Sequence, residues 1–360
     1  MKNSTSRALA FLLLLVSALA LAAFLFRGTL SVWVAEKVVA QRLQLEIRQD
    51  LTDGLHVGLC GAGSPFPDEK RTGPCTLVVA GSKLFVFDVG NAATRNLAKM
   101  GVNHGQIDAI FLTHFHSDHI DGLGELVLQR WVSTGNAQPV PVYGPPGVQK
   151  LVNGLRDVYA QDQTYRVAHH GEAILPSTGF GGEARSFDLG AAQDMLVYKA
   201  DNLEVRAFPV DHAPVHPAVG YRISYKGRTV VLSGDTRQSA AVLAQSKGVD
   251  LLVHEALSAP LAQAIGDAAV KAGRPKLKQL MADIIDYHAS PEQAAQTARD
   301  AQVGYLLFNH IAPPLPIPGL EKAFLGDAPS IFKGPMRVGI DGDFISLPAG
   351  TKDILVSKRF

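Results

Sequence analysis

Six consecutive residues, His114-Phe115-His116-Ser117-Asp118-His119, bring three imidazoles and a carboxylate into one turn of chain. They follow directly on the apolar run Ile107-Asp108-Ala109-Ile110-Phe111-Leu112-Thr113. Imidazole nitrogen and carboxylate oxygen are the donors that suit zinc and other borderline divalent cations. The chain has only 12 His in 360 residues, so a histidine-rich composition does not explain the clustering. The spacing predicts a metal site whose other ligands come from elsewhere in the chain.

Three further candidates stand where apolar runs end. His212 follows Val205 to Val210, Asp235 follows Val230 to Gly234, and His310 follows Leu306 to Asn309. Two cations use all seven groups: His114, His116 and His212 for one, Asp118, His119 and His310 for the other, with Asp235 bridging. Two such ions share a water, lower its pKa from about 15.7 toward 7, and polarise a substrate oxygen. Asp118 can also take a proton from that water, and His288 can donate one to a leaving oxygen. Glu255 is a candidate to orient His288. His56, His104, His169, His170, His216 and His254 fall outside the cluster and read as core or surface histidines.

The elements that must hold these groups are legible as short apolar runs punctuated by Gly and Pro. Strands are expected at 77–80, 84–89, 109–113, 140–143, 203–210, 219–225, 229–233, 250–254 and 305–309. Helices are expected over 124–131, 147–159 and 291–301. Lys226-Gly227 and Asp341-Gly342 carry hairpin signals, the latter closing 336–347. Two strand-then-helix series predict two sheets with helices outside. The stretches 161–191 and 266–286 read as loops that could cover the site.

Ahead of these elements, Ala8 to Phe26 carries no charge, with Lys2 and Arg7 before it and Arg27 after. At about 1.5 Å per residue it spans roughly 28 Å, enough to cross a bilayer core. It reads as a membrane anchor with the catalytic domain exported. The alternative is a signal removed at Ala18-Leu19-Ala20, which would release a secreted protein. Ser31 to Arg48 has Val39, Leu43 and Ile47 four apart and reads as an amphipathic stalk. The predicted organisation is residues 1–30 as anchor or signal, 31–51 as stalk and 52–360 as the catalytic domain. Cys60 ends one candidate strand and Cys75 begins the next. A disulfide forms if the two are antiparallel neighbours, and otherwise two buried thiols remain.

The set of motifs resembles the metallo-β-lactamase superfamily from about Gly58 to His310. The motifs are Gly61-Ala62-Gly63-Ser64-Pro65, Phe87-Asp88-Val89-Gly90, Thr113 to Gly122, Gly220-Tyr221-Arg222-Ile223, Ser233-Gly234-Asp235-Thr236 and His254-Glu255-Ala256, with His288 and His310. They are similar to the RNase Z-like branch, closest to its metal-dependent arylsulfatase members. That resemblance implies an α/β fold, an αββα four-layer sandwich with a dinuclear site at one edge. It carries the seven ligands over position by position and matches His288 to the family's catalytic histidine. Members that process tRNA insert a basic arm after the Gly-Tyr-Arg strand, whereas here Tyr225-Lys226-Gly227-Arg228 turns straight into the next strand. True zinc β-lactamases usually carry Cys where Asp235 stands, which argues against antibiotic hydrolysis.

Lys+Arg 34 nearly cancel Asp+Glu 33, leaving a net charge of +1 with no basic block. With the absent arm, this makes nucleic acid an unlikely partner and a small anionic ester the expected substrate. The leading expectation is a hydrolase using a dizinc-activated hydroxide on sulfate esters, arylsulfatase-like, or on phosphodiesters, with Mn2+ or Fe2+ able to replace Zn2+. The alternative is a lactonase or thioesterase of the same fold attacking a carbonyl. A non-catalytic metal-binding scaffold is disfavoured because no ligand is degenerate, and a homo-oligomer is compatible with the sequence.

Overall fold

The computed structural model describes residues 2–44 and 46–360, with side chains described for 7–40 and 46–360. Lys2, which flanks the apolar run, and Leu43, part of the apolar stripe, therefore lie outside the described side chains. The chain divides into two compact units, Met1–Gln49 and Asp50–Phe360. In the first unit, α1 (Lys2–Leu25) and α2 (Arg27–Gln44) are separated only at Phe26. The hydrogen-bond ladder runs on through that residue, from Phe26 N to Ala22 O and from Leu30 N to Phe26 O. Arg7–Leu25 has a mean hydropathy of 2.8 and none of it is buried, so by length and composition it can cross a membrane. The second helix starts at Arg27, four residues before the expected stalk.

The second unit lays down β1 (Gly54–Gly61), β2 (Cys75–Ala80), β3 (Lys83–Phe87), β4 (Ala109–Phe111), β5 (Val140–Gly144) and β6 (Gly182–Ser186). Then come β7 (Met195–Ala200), β8 (Leu203–Pro209), β9 (Val219–Tyr225), β10 (Arg228–Leu232), β11 (Leu251–Leu257), β12 (Leu306–Ala312) and β13 (Met336–Val338), followed by β14 (Asp343–Pro348) and β15 (Leu355–Lys358). One sheet runs β15-β14-β1-β2-β3-β4-β5-β6, the other β13-β12-β11-β10-β9-β8-β7. The helices are α3 (Ala93–Lys99), α4 (Ser117–Ile120), α5 (Leu123–Thr134), α6 (Val148–His170), α7 (Ala240–Gln245), α8 (Ala259–Lys271), α9 (Pro275–Asp283), α10 (Pro291–Asp300), α11 (Leu320–Leu325) and α12 (Ala328–Ile331).

Side-chain alternation builds the layers. Leu55, Val57 and Leu59 of β1, Phe85 and Phe87 of β3, and Tyr221 and Ile223 of β9 all point into one core between the sheets. On the opposite face of the second sheet, Val231, Leu252, Leu306 and Phe308 pack against Ala294, Ala295 and Ala298 of α10. A capping box at Ser290 starts that helix, with Gln293 as its partner. Both faces of β1, β2 and β11 are buried. Such strands read as continuous apolar runs, which is why the sequence showed them.

Three expectations are corrected. The helix expected over 147–159 runs on to His170, because nothing from Gln161 to His170 breaks it and Gly171 is the first stop. The expected loop 266–286 is helical, comprising the end of α8, all of α9 and a short 3₁₀ turn at Ile284–Tyr287. The segment 336–347 is no hairpin: β13 pairs parallel with β12, while β14 pairs with β1 in the other sheet. The chain crosses between sheets at Asp341, whose buried carboxylate accepts from the Ala62 and Thr72 amides. By contrast Tyr225 and Arg228 are paired across a tight hairpin, with Lys226 and Gly227 at φ 43° and 80°.

Candidate metal centre

Three loops and one bulge deliver the seven donors to one edge of the sandwich. β4 ends at Phe111, and the chain turns through His114 and His116 into α4, whose single turn carries Asp118 and His119. His212 follows β8, and Asp235 follows β10. His310 lies within β12 at a break in the β11–β12 register, where Glu255 pairs Asn309 and Ala256 pairs Ile311. That extra residue takes φ 47°, and the bulge turns its side chain out of the ladder toward the site. Gly90 lets the ligand turn approach, since a Cβ there would stand 2.5 Å from the Asp118 carbonyl oxygen.

The inward atoms fall into two groups. In the first, His116 Nδ1 lies 3.0 Å from His114 Nε2 and 3.5 Å from His212 Nε2. Asp235 Oδ2 is 3.9 Å and 3.8 Å from those same Nε2 atoms. In the second, Asp118 Oδ2 is 3.2 Å from His310 Nε2 and 3.6 Å from His119 Nε2. The same Asp235 Oδ2 is 3.3 Å from His119 Nε2 and 3.2 Å from His310 Nε2. A tetrahedral zinc with arms of 2.0–2.1 Å keeps its ligand atoms roughly 3.3 Å apart, so both groups have the right size. His119 Nε2 and Asp235 Oδ2 are buried and make no aligned hydrogen bond. Two unsatisfied buried atoms in one place are costly without a cation to take them. The donors fall into two metal-sized groups, and Asp235 Oδ2 lies close to the nitrogens of both, so the set fits two ions.

The outer ring nitrogens are also fixed. His119 Nδ1 donates to Asp88 Oδ2 at 2.8 Å. His114 Nδ1 donates to Thr113 Oγ1 at 3.0 Å, and Thr113 Oγ1 in turn donates to the same Asp88 carboxylate. His212 Nδ1 donates to the Tyr287 carbonyl at 2.8 Å. Each bond leaves the opposite nitrogen free to bind a metal. Glu255 Oε1 accepts from the Ala289 amide at 2.9 Å and from His288 Nδ1 at 3.2 Å. Tyr221 of the Gly-Tyr-Arg motif donates to the Leu112 carbonyl at 2.6 Å and steadies the strand end before the ligand turn.

Burial dominates the electrostatics. It holds the His114 imidazole well below the usual histidine range, and lowers His116 and His212. All three are neutral donors at neutral pH. Burial opposes charge on His119 too, but the Asp235 and Asp88 carboxylates outweigh it and raise this group well above its ordinary value. His310 is likewise raised, to about 9, by Asp235 and Asp118 against its burial. Burial would raise Asp235, but the His310 and His119 imidazoles hold it well below the carboxylate range. Without metal, protons on His119 and His310 are held where a second cation would sit.

Sequence reasoning singled out all seven donors, and the structure brings them together, with His288 and Asp118 on the same cleft. It missed the part played by Asp88, Thr113 and the Tyr287 carbonyl. Asp88 had a visible signal, a carboxylate at the exit of an apolar strand. The Tyr287 carbonyl had none. Cys60 and Cys75 are disulfide-bonded in the structure, with Cα atoms 4.9 Å apart, at the point where Gly61 pairs Cys75 in antiparallel register. His56 and His104 meet the Thr52 and Thr94 carbonyls, and His254 is buried behind Glu255.

Two sheets between helical layers, with paired nitrogen–oxygen donor sets at one edge, define a metal-dependent hydrolase of the metallo-β-lactamase fold. Residues 86–311 match the beta-lactamase superfamily domain. The chain belongs to that superfamily, in its ribonuclease Z-like branch, and is a hydrolase acting on ester bonds. It is 37% identical over 289 residues to "Ribonuclease Z" of Mycolicibacterium gilvum (strain PYR-GCK), covering 80% of this chain and 94% of that one. The ribonuclease Z of Mycobacterium avium (strain 104) is also 37% identical, over 80% and 96% of the two chains. Among solved structures, the short form of human tRNase Z aligns with a TM-score of 0.58 at 20% identity, covering 81% of this chain and 99% of that one. The Bacillus subtilis metallo-beta-lactamase fold protein YhfI aligns with a TM-score of 0.58 at 21% identity, over 82% and 100% of the chains.

These relatives overturn the expectation that the substrate is a small ester and nucleic acid an unlikely partner. The reasoning failed because net charge averages over the whole chain, whereas a scissile phosphate is held locally. The leaning toward the arylsulfatase type is set aside on the same ground, since the relatives carry the ribonuclease Z name.

Proposed function

We propose that the protein is a ribonuclease Z-like phosphodiesterase that hydrolyses RNA at a pair of zinc ions. The observation that carries this reading is the double donor set sharing Asp235, and relatives 37% identical over 80% of the chain support the substrate class. His114, His116 and His212 would hold one ion, Asp118, His119 and His310 the other, and Asp235 both. The histidine-rich set favours zinc. Such a pair supplies Lewis acidity at the phosphoryl oxygens and a water acidic enough to attack at neutral pH.

The chain's own groups do the rest. Asp118, at the cleft floor, accepts the proton of the attacking water. His288 faces the same cleft with Nδ1 held by Glu255, which leaves Nε2 to protonate the departing oxygen as the phosphorus–oxygen bond breaks.

The test is to incubate the zinc-loaded full chain with a precursor tRNA transcript, an aryl sulfate, a lactone and a β-lactam. RNA cleavage abolished by a chelator is expected. Turnover of the sulfate, the lactone or the β-lactam without RNA cleavage would overturn the substrate assignment.

We read α1 as a membrane anchor and place the catalytic unit outside the cytoplasm. The length and hydropathy of Arg7–Leu25 support the first point, and the Cys60–Cys75 bridge fits an oxidising compartment. Release of the intact chain from membranes by alkaline carbonate, or Cys60 and Cys75 found as thiols in cells, would contradict this placement.

A further inference from the structure

An open cleft of about 340 Å³ lies against the metal ligands, near the lower end of the range for small-molecule sites. Its floor is polar and includes Asp118 and His288. Its wall is not: Phe66, Leu280, Ile284 and Tyr287 line it, and among the described residues no Lys or Arg does. Leu280 keeps 47% of its surface exposed although it sits beside a reaction centre. Together with Phe66, Ile284 and Tyr287 it makes a contiguous apolar lining beside convergent polar groups, the usual composition of a ligand site.

Two separate devices hold this wall. Phe66 sits on the loop closed by the Cys60–Cys75 bridge. Leu280 comes from α9, and Ile284 is braced against Leu257, Ala262 and Ala312. The α8–α9 pair is inserted between β11 and His288, so the general acid and the apolar wall are delivered by one segment.

We propose that this wall is a subsite for the nucleobase next to the scissile phosphodiester. The proposal deepens the RNA phosphodiesterase reading and rests on it. With one anionic group on the cleft floor, the adjoining sugar carries its base out along the cleft. A wall without cations offers nothing to a second phosphate but suits the flat face of an unpaired base, which aromatic and apolar side chains hold by stacking. A base engaged in a duplex cannot present that face, so the subsite selects single-stranded nucleotides at the cut.

The test is direct binding, by calorimetry, of adenosine 3′- and 5′-monophosphate and of ribose 5-phosphate to the zinc-loaded full chain. At least one nucleotide should bind about tenfold or more tightly than the base-free sugar phosphate. Phe66→Ala and Leu280→Ala should bring that ratio close to one while zinc content stays at two per chain. Leu280 is half-exposed, so its substitution does not threaten folding. Equal affinities in the unmodified protein, or a ratio that survives both substitutions, overturns the subsite. A base preference in a protein that leaves precursor tRNA intact would instead retire the RNA reading and keep the subsite.

Discussion

Asp88 shows how much of a metal centre lies behind its ligands. One carboxylate takes the His119 proton directly and the His114 proton through Thr113, so it steers one ligand of each donor group. Asp88→Asn keeps the size and removes the charge. Zinc affinity, measured by chelator competition, should fall about 10- to 100-fold, and an unchanged affinity would leave Asp88 a merely structural residue. His288→Ala should retain two zincs by elemental analysis and lower kcat by about 10²–10⁴. Loss of metal together with rate would recast His288 as a ligand. The seven donors were legible because each stands at the end of an apolar run, a pattern local to the sequence. The pairing of each donor with its orienting group was not: Asp88 stands at a strand exit, but nothing local ties it to His119, 31 positions away, or the Tyr287 carbonyl to His212, 75 away. Contacts at that separation leave no periodic trace.

Among the elements, the strands buried on both faces declared themselves, whereas β6 and β7 did not. Gly182–Ser186 and Met195–Ala200 are mostly exposed or half-buried, and their strand character comes from pairing with β5 and β8 rather than from composition. The Asp341-Gly342 signal correctly marked a turn, yet its carboxylate is drawn 279 positions back to Ala62, which sends the two flanking strands to different sheets. The loop between β1 and β2 depends on that contact and on the disulfide, which joins residues 15 apart. Replacing Cys60 and Cys75 together by Ala should lower the unfolding free energy by about 3 kcal/mol in a denaturant titration. An unchanged midpoint would show that the Asp341 contacts alone hold the loop.

For the molecule as a whole, histidine protonation sets a pH limit from two directions. Burial lowers His56, His104 and His254, none of them donors, below the ordinary histidine value of 6.5. Their contribution to stability is complete above about 6.5 and is lost as pH falls through their lowered folded-state values. The zinc-loaded protein should therefore melt at lower temperature at about pH 5.5 than at 7.5, and His104→Gln should flatten that slope. In chelator-stripped protein His310, raised to about 9, runs the other way: its contribution is complete below 6.5 and fades as pH rises through 9. Melting curves that moved in parallel for loaded and stripped protein would refute this division.

Tyr287 links the metal site to the cleft, because its main chain holds the His212 ring while its side chain walls the cleft. Occupancy of the cleft and occupancy of the metal sites are therefore coupled equilibria. By reciprocity, whatever factor zinc adds to the affinity for a nucleotide, the nucleotide must return in retention of zinc. A scavenging chelator would disarm the resting enzyme sooner than the enzyme engaged with its substrate.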